Sequence, residues 1–358
     1  MATARVRPGS EDPVSPLRDF RSPRIDLNDK VVMITGGTGS FGKAFTRMVC
    51  DEFKPRKLIV FSRDELKQYE MAQVFPAERY PFMRYFIGDV RDAPRLDMAM
   101  RGVDYVIHAA ALKQVPTAEY NPFECIKTNV FGAENVVNAA IARRVKRVVA
   151  LSTDKAANPI NLYGASKLAA DKIFCAAEAM AGDSEVRFSV VRYGNVLGSR
   201  GSVAPLFRRL AAEGAIDLPI TDPRMTRFWI TLDQGVNFVL SSLEMMRGSE
   251  VFVPKIPSTR TADLATAVAP QLPHRMVGVR PGEKLHEVMV PEDDARCTVE
   301  LHDRYVILPS ADARRREDYL RAGAKPVEEG FSYASDRNPE HLDARGLQAL
   351  LAEALRKE

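Results

Sequence analysis

Short unbroken apolar runs recur from Lys30 onward, and longer amphipathic stretches separate them. "VVMIT" leads into a helical pattern through Phe45 and Val49, and "KLIVF" into a charged helix from Asp64. "YFIGD" precedes Arg91 to Met100, and "DYVIHAA" precedes Thr128 to Ala142. "RVVALS", a helix from Tyr163 to Met180 and "RFSVVRYGNV" continue the series. Strands apolar at every position are buried on both faces, and intervening helices are the crossovers that parallel strands require. The pattern predicts an α/β fold, a doubly wound parallel sheet over residues 29–195.

After Asn195 the texture changes. "LGSRGSVAPLF", "PITDPRMTRFWIT" and "VGVRPGEKLHEVMV" are loops and short elements rich in Pro, Gly and Arg. Such material suits a smaller C-terminal substrate lobe, residues 196–345, over the carboxyl ends of the strands, where open α/β sheets bind ligands. Within it Thr231 to Met246 reads as a long helix and "EVFVPK" as a strand. Residues 231–255 are therefore expected to return to the first domain, so that the lobes interleave. Residues 346–358 read as a C-terminal helix. Residues 1–28, rich in Arg, Pro, Ser and Asp without an apolar segment, read as a disordered tail.

Composition narrows the function. The 358 residues are 46% hydrophobic and 27% charged, a globular balance, and a net charge of +4 gives little reason to expect nucleic acid or a membrane as partner. No apolar run approaches the roughly 18 to 20 residues of a membrane span. Four scattered cysteines without a C-x-x-C pair fit a reducing, cytoplasmic setting and argue against a disulfide framework or zinc site; the five histidines lack metal-ligand spacing.

"ITGGTGSFGKAF" sets Gly36, Gly39 and Gly42 at G-x-x-G-x-x-G spacing between the first strand and its helix. Glycine there lets the turn tighten, lets backbone N–H groups approach a pyrophosphate and lets the helix pack close to the sheet, so a Rossmann-like dinucleotide site is expected, with Thr38, Ser40 and Phe41 in the same turn. The second strand ends "IVFSRDE". Ser62 and Arg63 offer a hydroxyl and a guanidinium suited to a 2′-phosphate, which favours NADP; Asp64 could serve a ribose or cap the next helix. Asp89 and Val90 would flank the adenine, and the small residues Ala109, Ala110 and Ala111 would floor the cofactor.

"STDKAANPINLYGASK" carries the chemistry. Tyr163 and Lys167 form a Tyr-x-x-x-Lys pair. A free phenol, with a pKa of about 10, is a weak base at neutral pH, and a lysine one turn on, with the nicotinamide's positive charge, would stabilise the phenolate. Tyr163 could then take a proton from a substrate hydroxyl as hydride leaves. Asp154 and Lys155 add an acid and a base that a simple dehydrogenase has no use for.

These motifs, with "FSRDELKQYEM", "HAAALKQVPTAEYNPFECIKTN", "RYGNVLGSRGSV", "MTRFWIT" and "RPGEKLHE", give the chain a specific resemblance over residues 29–345. It resembles the extended short-chain dehydrogenase/reductases, and within them the soluble, inverting UDP-N-acetylglucosamine (UDP-GlcNAc) 4,6-dehydratases that begin pseudaminic acid and related capsule pathways. Retaining relatives carry transmembrane helices, and many have methionine where this chain has Tyr163. The dTDP-glucose dehydratases place Asp-Glu where it has Asp-Lys.

The resemblance implies that oxidation at sugar carbon 4 acidifies the hydrogen on carbon 5, that Lys155 removes it and that Asp154 protonates the departing carbon 6 hydroxyl. This demands a neutral lysine beside a protonated acid. Thr153 would bond the carbon 4 oxygen with Tyr163. NADP stays bound and is regenerated each cycle, and the product would be UDP-2-acetamido-2,6-dideoxy-β-L-arabino-hex-4-ulose. Arg227, Arg280 and Lys284 match phosphate- and ribose-binding stretches, and Glu283 or Glu287 could hold the uridine ribose. Asn195 and Arg200 are further sugar-nucleotide candidates, and Lys113 is either a residue closing over the sugar or structural. Homo-oligomers from dimer to hexamer are common for this fold. The rival readings are a UDP-sugar 4-epimerase, which needs no Asp154–Lys155 pair, and a nonenzymatic NADP-binding regulator.

Overall fold

A computed structural model describes residues 17–182, 184–199, 201–309 and 312–355. Arg200 and residues 1–16 of the expected tail lie outside the described residues.

The apolar runs form β1 (Val31–Thr35), β2 (Lys57–Ser62), β3 (Met83–Ile87), β4 (Tyr105–His108), β5 (Arg147–Thr153) and β6 (Arg187–Tyr193). Helices α1 (Ser40–Glu52), α2 (Glu65–Val74) and α3 (Ala93–Ala99) join the first four. The strands are parallel in the order β3-β2-β1-β4-β5-β6. Val32 of β1 pairs with Leu58 on one side and Tyr105 on the other. The chain order reverses there, so the loops leaving β1 and β4 diverge and open a crevice at their carboxyl ends. Asp64 and Asp92 cap α2 and α3, each accepting the backbone N–H three residues on. The helix expected over Thr128–Ala142 begins as one turn of π-helix, Lys127–Phe131, before the regular helix Gly132–Ala142.

The sheet has ten strands, more than expected. Val251–Pro254 pairs parallel to β6, preceded by the helix Leu232–Met245 with a Thr231–Gln234 capping box. Arg304–Ile307, Thr298–Glu300 and Lys325–Pro326 then extend the sheet antiparallel. The sheet thus takes in strands beyond residues 231–255, the part of the lobe expected to return to it. The added strands are two to four residues long, too short for a periodicity to announce them.

A correction concerns the tail. Residues 17–28 pack against the domain: Phe20, Ile25 and Leu27 lie in the main core, and Phe20 meets Phe238 edge-on at 5.1 Å. Arg18 donates to Glu340 at 2.6 Å and to the Lys255 carbonyl at 3.1 Å, while Gln234 donates to the Arg18 carbonyl at 2.9 Å. Each buried apolar side chain contributes about 1.5–3 kcal/mol, enough to order a short segment that its polar composition alone would leave loose.

The smaller lobe holds a three-stranded sheet (Asn195–Val196, Thr226–Ile230, Ser258–Arg260) and the strand pairs Leu218–Ile220 with His274–Met276 and Val288–Val290 with Tyr333–Ala334. The terminal helix, Ala344–Leu355, buries Leu347 and Leu350 beside Trp229 and Leu264. No described helix is long and apolar enough to cross a membrane.

Candidate active site

One cavity of about 800 Å³ runs from the β1 turn to the smaller lobe. Among its lining residues are Gly36, Thr38, Gly39, Ser40, Phe41, Gly42, Ser62, Arg63, Asp89, Val90, Ala109, Ala110 and Ala111 at one end. Thr153, Lys155, Tyr163, Lys167, Lys113, Asn195, Arg227, Arg280, Glu283, Lys284 and Glu287 line the other. Asp154 is the exception. It is fully buried behind the wall.

The nucleotide end fits a dinucleotide. Gly39 caps α1 without any side-chain hydrogen bond, and the N-terminal N–H groups of a helix are suited to an anion. A Cβ on Gly42 would stand 2.2 Å from the Gly37 carbonyl oxygen, so only glycine lets α1 start this close to the turn. Gly36, at a φ of +65°, brings the turn against the backbone of Ala110, where a Cβ would stand 2.8 Å from the Ala110 nitrogen; the alanine floor and the glycine turn therefore meet directly. The Ser62 hydroxyl oxygen accepts from Thr38 at 3.2 Å and Gln68 at 3.3 Å, leaving its own proton to donate. Asp64 is engaged as the α2 cap and with the Lys67 ammonium. Arg63 stands half-exposed, 3.7 Å from Asp89.

At the chemical end β5 runs straight into a single 3₁₀ turn, Asp154–Ala156, and the helix Leu162–Met180 packs back onto it. A Cβ on Gly164 would lie 2.2 Å from the Lys155 carbonyl oxygen, so glycine here sets how closely helix and turn approach. Asn161 caps the helix through Gly164 N at 2.7 Å and donates to the Gly282 carbonyl at 2.8 Å, linking it to the smaller lobe. The Thr153 hydroxyl donates to Asp154 Oδ1 at 2.9 Å and accepts from the Lys155 backbone N–H at 3.3 Å.

Lys155 Nζ lies 3.0 Å from Asp154 Oδ1, 3.3 Å from Asn195 Oδ1 and 3.5 Å from Glu287 Oε1. Burial opposes its charge, but the Asp154 and Glu287 carboxylates outweigh burial and hold the ammonium well above the ordinary lysine range. The expected neutral lysine is therefore not the resting state; the pair rests with Lys155 charged. Asp154 Oδ2 and Glu287 Oε2 are buried without hydrogen-bond partners.

Burial pushes the Tyr163 phenol up to about 12, with Lys155 and Thr153 pulling against it. The sequence assigned that help to Lys167. Instead Lys167 donates to the Leu151 carbonyl at 2.6 Å, and burial lowers its own affinity for a proton, with Asp171 opposing. Lys155 therefore adds a charge that favours the phenolate, while Lys167 stands one helical turn from Tyr163.

The nucleotide-diphosphate candidates divide. Arg280 faces the cavity 3.7 Å from Glu283, whose Oε2 is buried without a hydrogen-bond partner. Arg227 is buried, and its guanidinium turns to the carbonyls of Thr226, Leu285 and Lys284 because a buried fork of donors takes the nearest acceptors. Lys284 donates to the Ala157 carbonyl at 2.6 Å, so its ammonium is spent on the catalytic turn. Sequence reading missed Asn161 and Gly164 as positioning residues. The run "INLYG", an Asn two residues before the tyrosine and a Gly just after it, is a legible cap signal.

Known proteins agree with this geometry. A family model described as "Polysaccharide biosynthesis protein" matches residues 32–309. A UDP-N-acetylglucosamine 4,6-dehydratase (inverting) of Campylobacter jejuni is 58% identical over 87% of this chain and 94% of its own. A UDP-glucose 4-epimerase of Rickettsia canadensis is 43% identical over 90% and 95%. The solved structure of Pen from Bacillus thuringiensis superposes with a TM-score of 0.84 at 36% identity, covering 92% of this chain and 99% of that one. With its cavity at the sheet's point of reversal and its Tyr163–Lys167 helix, this chain belongs to the polysaccharide biosynthesis protein family, within the extended short-chain dehydrogenase/reductases.

Proposed function

We propose that this protein is an NADP-dependent UDP-GlcNAc 4,6-dehydratase that inverts carbon 5. The observation that carries the reading is the Asp154–Lys155 pair, hydrogen-bonded to Thr153 at the end of the cavity that Tyr163 also lines. Oxidation and reduction at carbon 4 use Tyr163. A second acid and base have work only if a second bond is broken.

Held by the Gly36–Gly42 turn and the Ala109–Ala111 floor, a nicotinamide cofactor would supply the hydride acceptor for carbon 4 and the hydride donor for carbon 6. Tyr163 takes the carbon 4 hydroxyl proton. Transfer of one proton along the 3.0 Å Lys155–Asp154 hydrogen bond turns ammonium and carboxylate into amine and acid, with no change of net charge. A substrate that closes the site and expels water favours that neutral form. The Lys155 amine then takes the carbon 5 proton, and the C–H electron pair becomes the carbon 5–carbon 6 double bond as the carbon 6–oxygen bond breaks. The proton for that leaving oxygen starts on Asp154 and reaches the cavity through the Thr153 hydroxyl, since Asp154 itself is set back from the wall. Water departs, and Lys155 and Asp154 are again ammonium and carboxylate. Once carbon 6 has its hydride, carbon 5 takes a proton on the face opposite the one Lys155 deprotonated, which inverts that centre and balances the proton Tyr163 took from the carbon 4 hydroxyl.

Arg280 and Glu283 would take the diphosphate and the uridine ribose, and Asn195 and Lys113 the sugar side. The reading carries with it a cytoplasmic homo-oligomer, from dimer to hexamer, for which the exposed Tyr120, Phe123 and Phe131 provide an apolar face. Arg63 and the Lys67 ammonium at the tip of β2, with Asp64 engaged as a cap, support a 2′-phosphate and hence NADP. Replacing Arg63 by Ala is expected to raise the ratio of NADP to NAD dissociation constants about tenfold, the worth of one charge-assisted hydrogen bond. An unchanged ratio in paired titrations would remove the ground for NADP.

Incubation with UDP-GlcNAc and no added reductant tests the function. A product lighter by one water is expected. An isomer of unchanged mass would favour the epimerase named among the relatives, and unreacted sugar nucleotide would sink both.

A further inference from the structure

One buried carboxylate has no task in that reaction. Glu287 comes from the smaller lobe, directly before the Val288–Val290 strand, and is 1% exposed. A carboxylate so deep is retained where cations hold it. Its Oε1 lies 3.5 Å from Lys155 Nζ and 3.8 Å from Arg227 Nε, and its Oε2 lies 3.7 Å from Lys284 Nζ.

We infer that Glu287 is a positioning residue for Lys155: it holds the ammonium at the elimination site from across the cleft between the lobes. This rests on the dehydratase reading. The Gly282–Glu287 stretch touches the catalytic turn and helix in three places. The Gly282 carbonyl accepts from Asn161 at 2.8 Å, Lys284 donates to the Ala157 carbonyl at 2.6 Å, and Glu287 faces Lys155. Arg280 and Glu283, the candidates for the nucleotide, belong to the same segment. Seating of the nucleotide on that segment therefore fixes where the base stands, and a sugar without its nucleotide leaves Lys155 less well placed.

The sequence offered Glu287 as a holder of the uridine ribose. Its position against Lys155, Arg227 and Lys284 assigns it elsewhere and leaves Glu283, with its unpartnered buried oxygen, for the ribose. The charged groups facing Lys155 are Asp154, Glu287 and Arg227, with Tyr163 and Lys284 next to them. Of these Glu287 is the one acid delivered by the other lobe.

The test compares the wild-type chain with Glu287→Gln and Glu287→Asp, each with UDP-GlcNAc in heavy water. Three quantities are read: deuterium entering carbon 5, the appearance of reduced nicotinamide, and kcat and KM for dehydration. Glu287→Gln keeps the side chain's shape. It is expected to lower carbon 5 exchange and kcat about tenfold or more, with KM within about twofold and reduced cofactor forming at the wild-type rate. Glu287→Asp should recover part of the exchange. A raised KM with unchanged exchange would make Glu287 a ribose ligand after all. Equal losses of oxidation and exchange would make it merely structural, and either result overturns the inference. A wild-type chain that neither exchanges nor dehydrates overturns the dehydratase reading itself.

Discussion

Replacing Lys155 by Ala is expected to abolish exchange of the carbon 5 hydrogen with solvent and, with it, loss of water. Removing a general base costs about 10²–10⁴-fold. Here the loss should reach the upper end, because no other described amine shares the position: Lys284 is held on the Ala157 carbonyl and Lys167 on the Leu151 carbonyl. On the proposed mechanism oxidation at carbon 4 relies on Tyr163 and should survive, so the variant should accumulate reduced nicotinamide that the wild type consumes. The substitution also leaves the buried Asp154 and Glu287 carboxylates without their shared cation, which costs about 3–5 kcal/mol of stability. A folded state confirmed by cofactor binding separates that cost from the chemical one. Exchange persisting at the wild-type rate in heavy water would place the base elsewhere.

The second large effect belongs to Tyr163. Tyr163→Phe removes one oxygen from a ring that packs on Ala118 and Cys125, so the core contact remains and the fold should hold. What is lost is the group proposed to take the carbon 4 proton. The attraction between that oxygen and Lys155 goes with it. Both signals should vanish together, reduced nicotinamide and carbon 5 exchange, each by about 10²-fold or more. The contrast with Lys155→Ala is the point. If the oxidation comes first, a block at Tyr163 silences everything downstream, whereas a block at Lys155 stops only the elimination. Unaltered product formation by Tyr163→Phe would revive the possibility that the fold binds NADP without this chemistry.

The parallel half of the sheet was legible because β1, β2, β4, β5 and β6 are short runs buried on both faces, and such strands are written as unbroken apolar stretches. The Tyr163–Lys167 spacing and the glycine turn were legible for a related reason, since their chemistry depends on neighbours a few residues apart. Contacts between distant segments were not. Glu287 lies 132 positions after Lys155, and its proximity follows from how the smaller lobe folds back over the turn. The packing of Phe20 and Leu27 was hidden for the same reason: their partners are far along the chain, and the intervening Arg, Asp and Pro set the local composition. The charge state of the Lys155–Asp154 pair also needed the structure. Adjacent residues announce a pair, but only the structure shows Glu287 joining Asp154 in holding the lysine charged.

The central claim is that the oxidation is temporary and the elimination is its purpose. UDP-GlcNAc carrying deuterium on carbon 4 tests this most directly, with the product analysed by NMR. The account requires that deuterium to appear in a carbon 6 methyl group, beside a carbon 4 ketone and an inverted carbon 5. Deuterium found still on carbon 4 of an intact sugar, with that centre retained or epimerised, would contradict it.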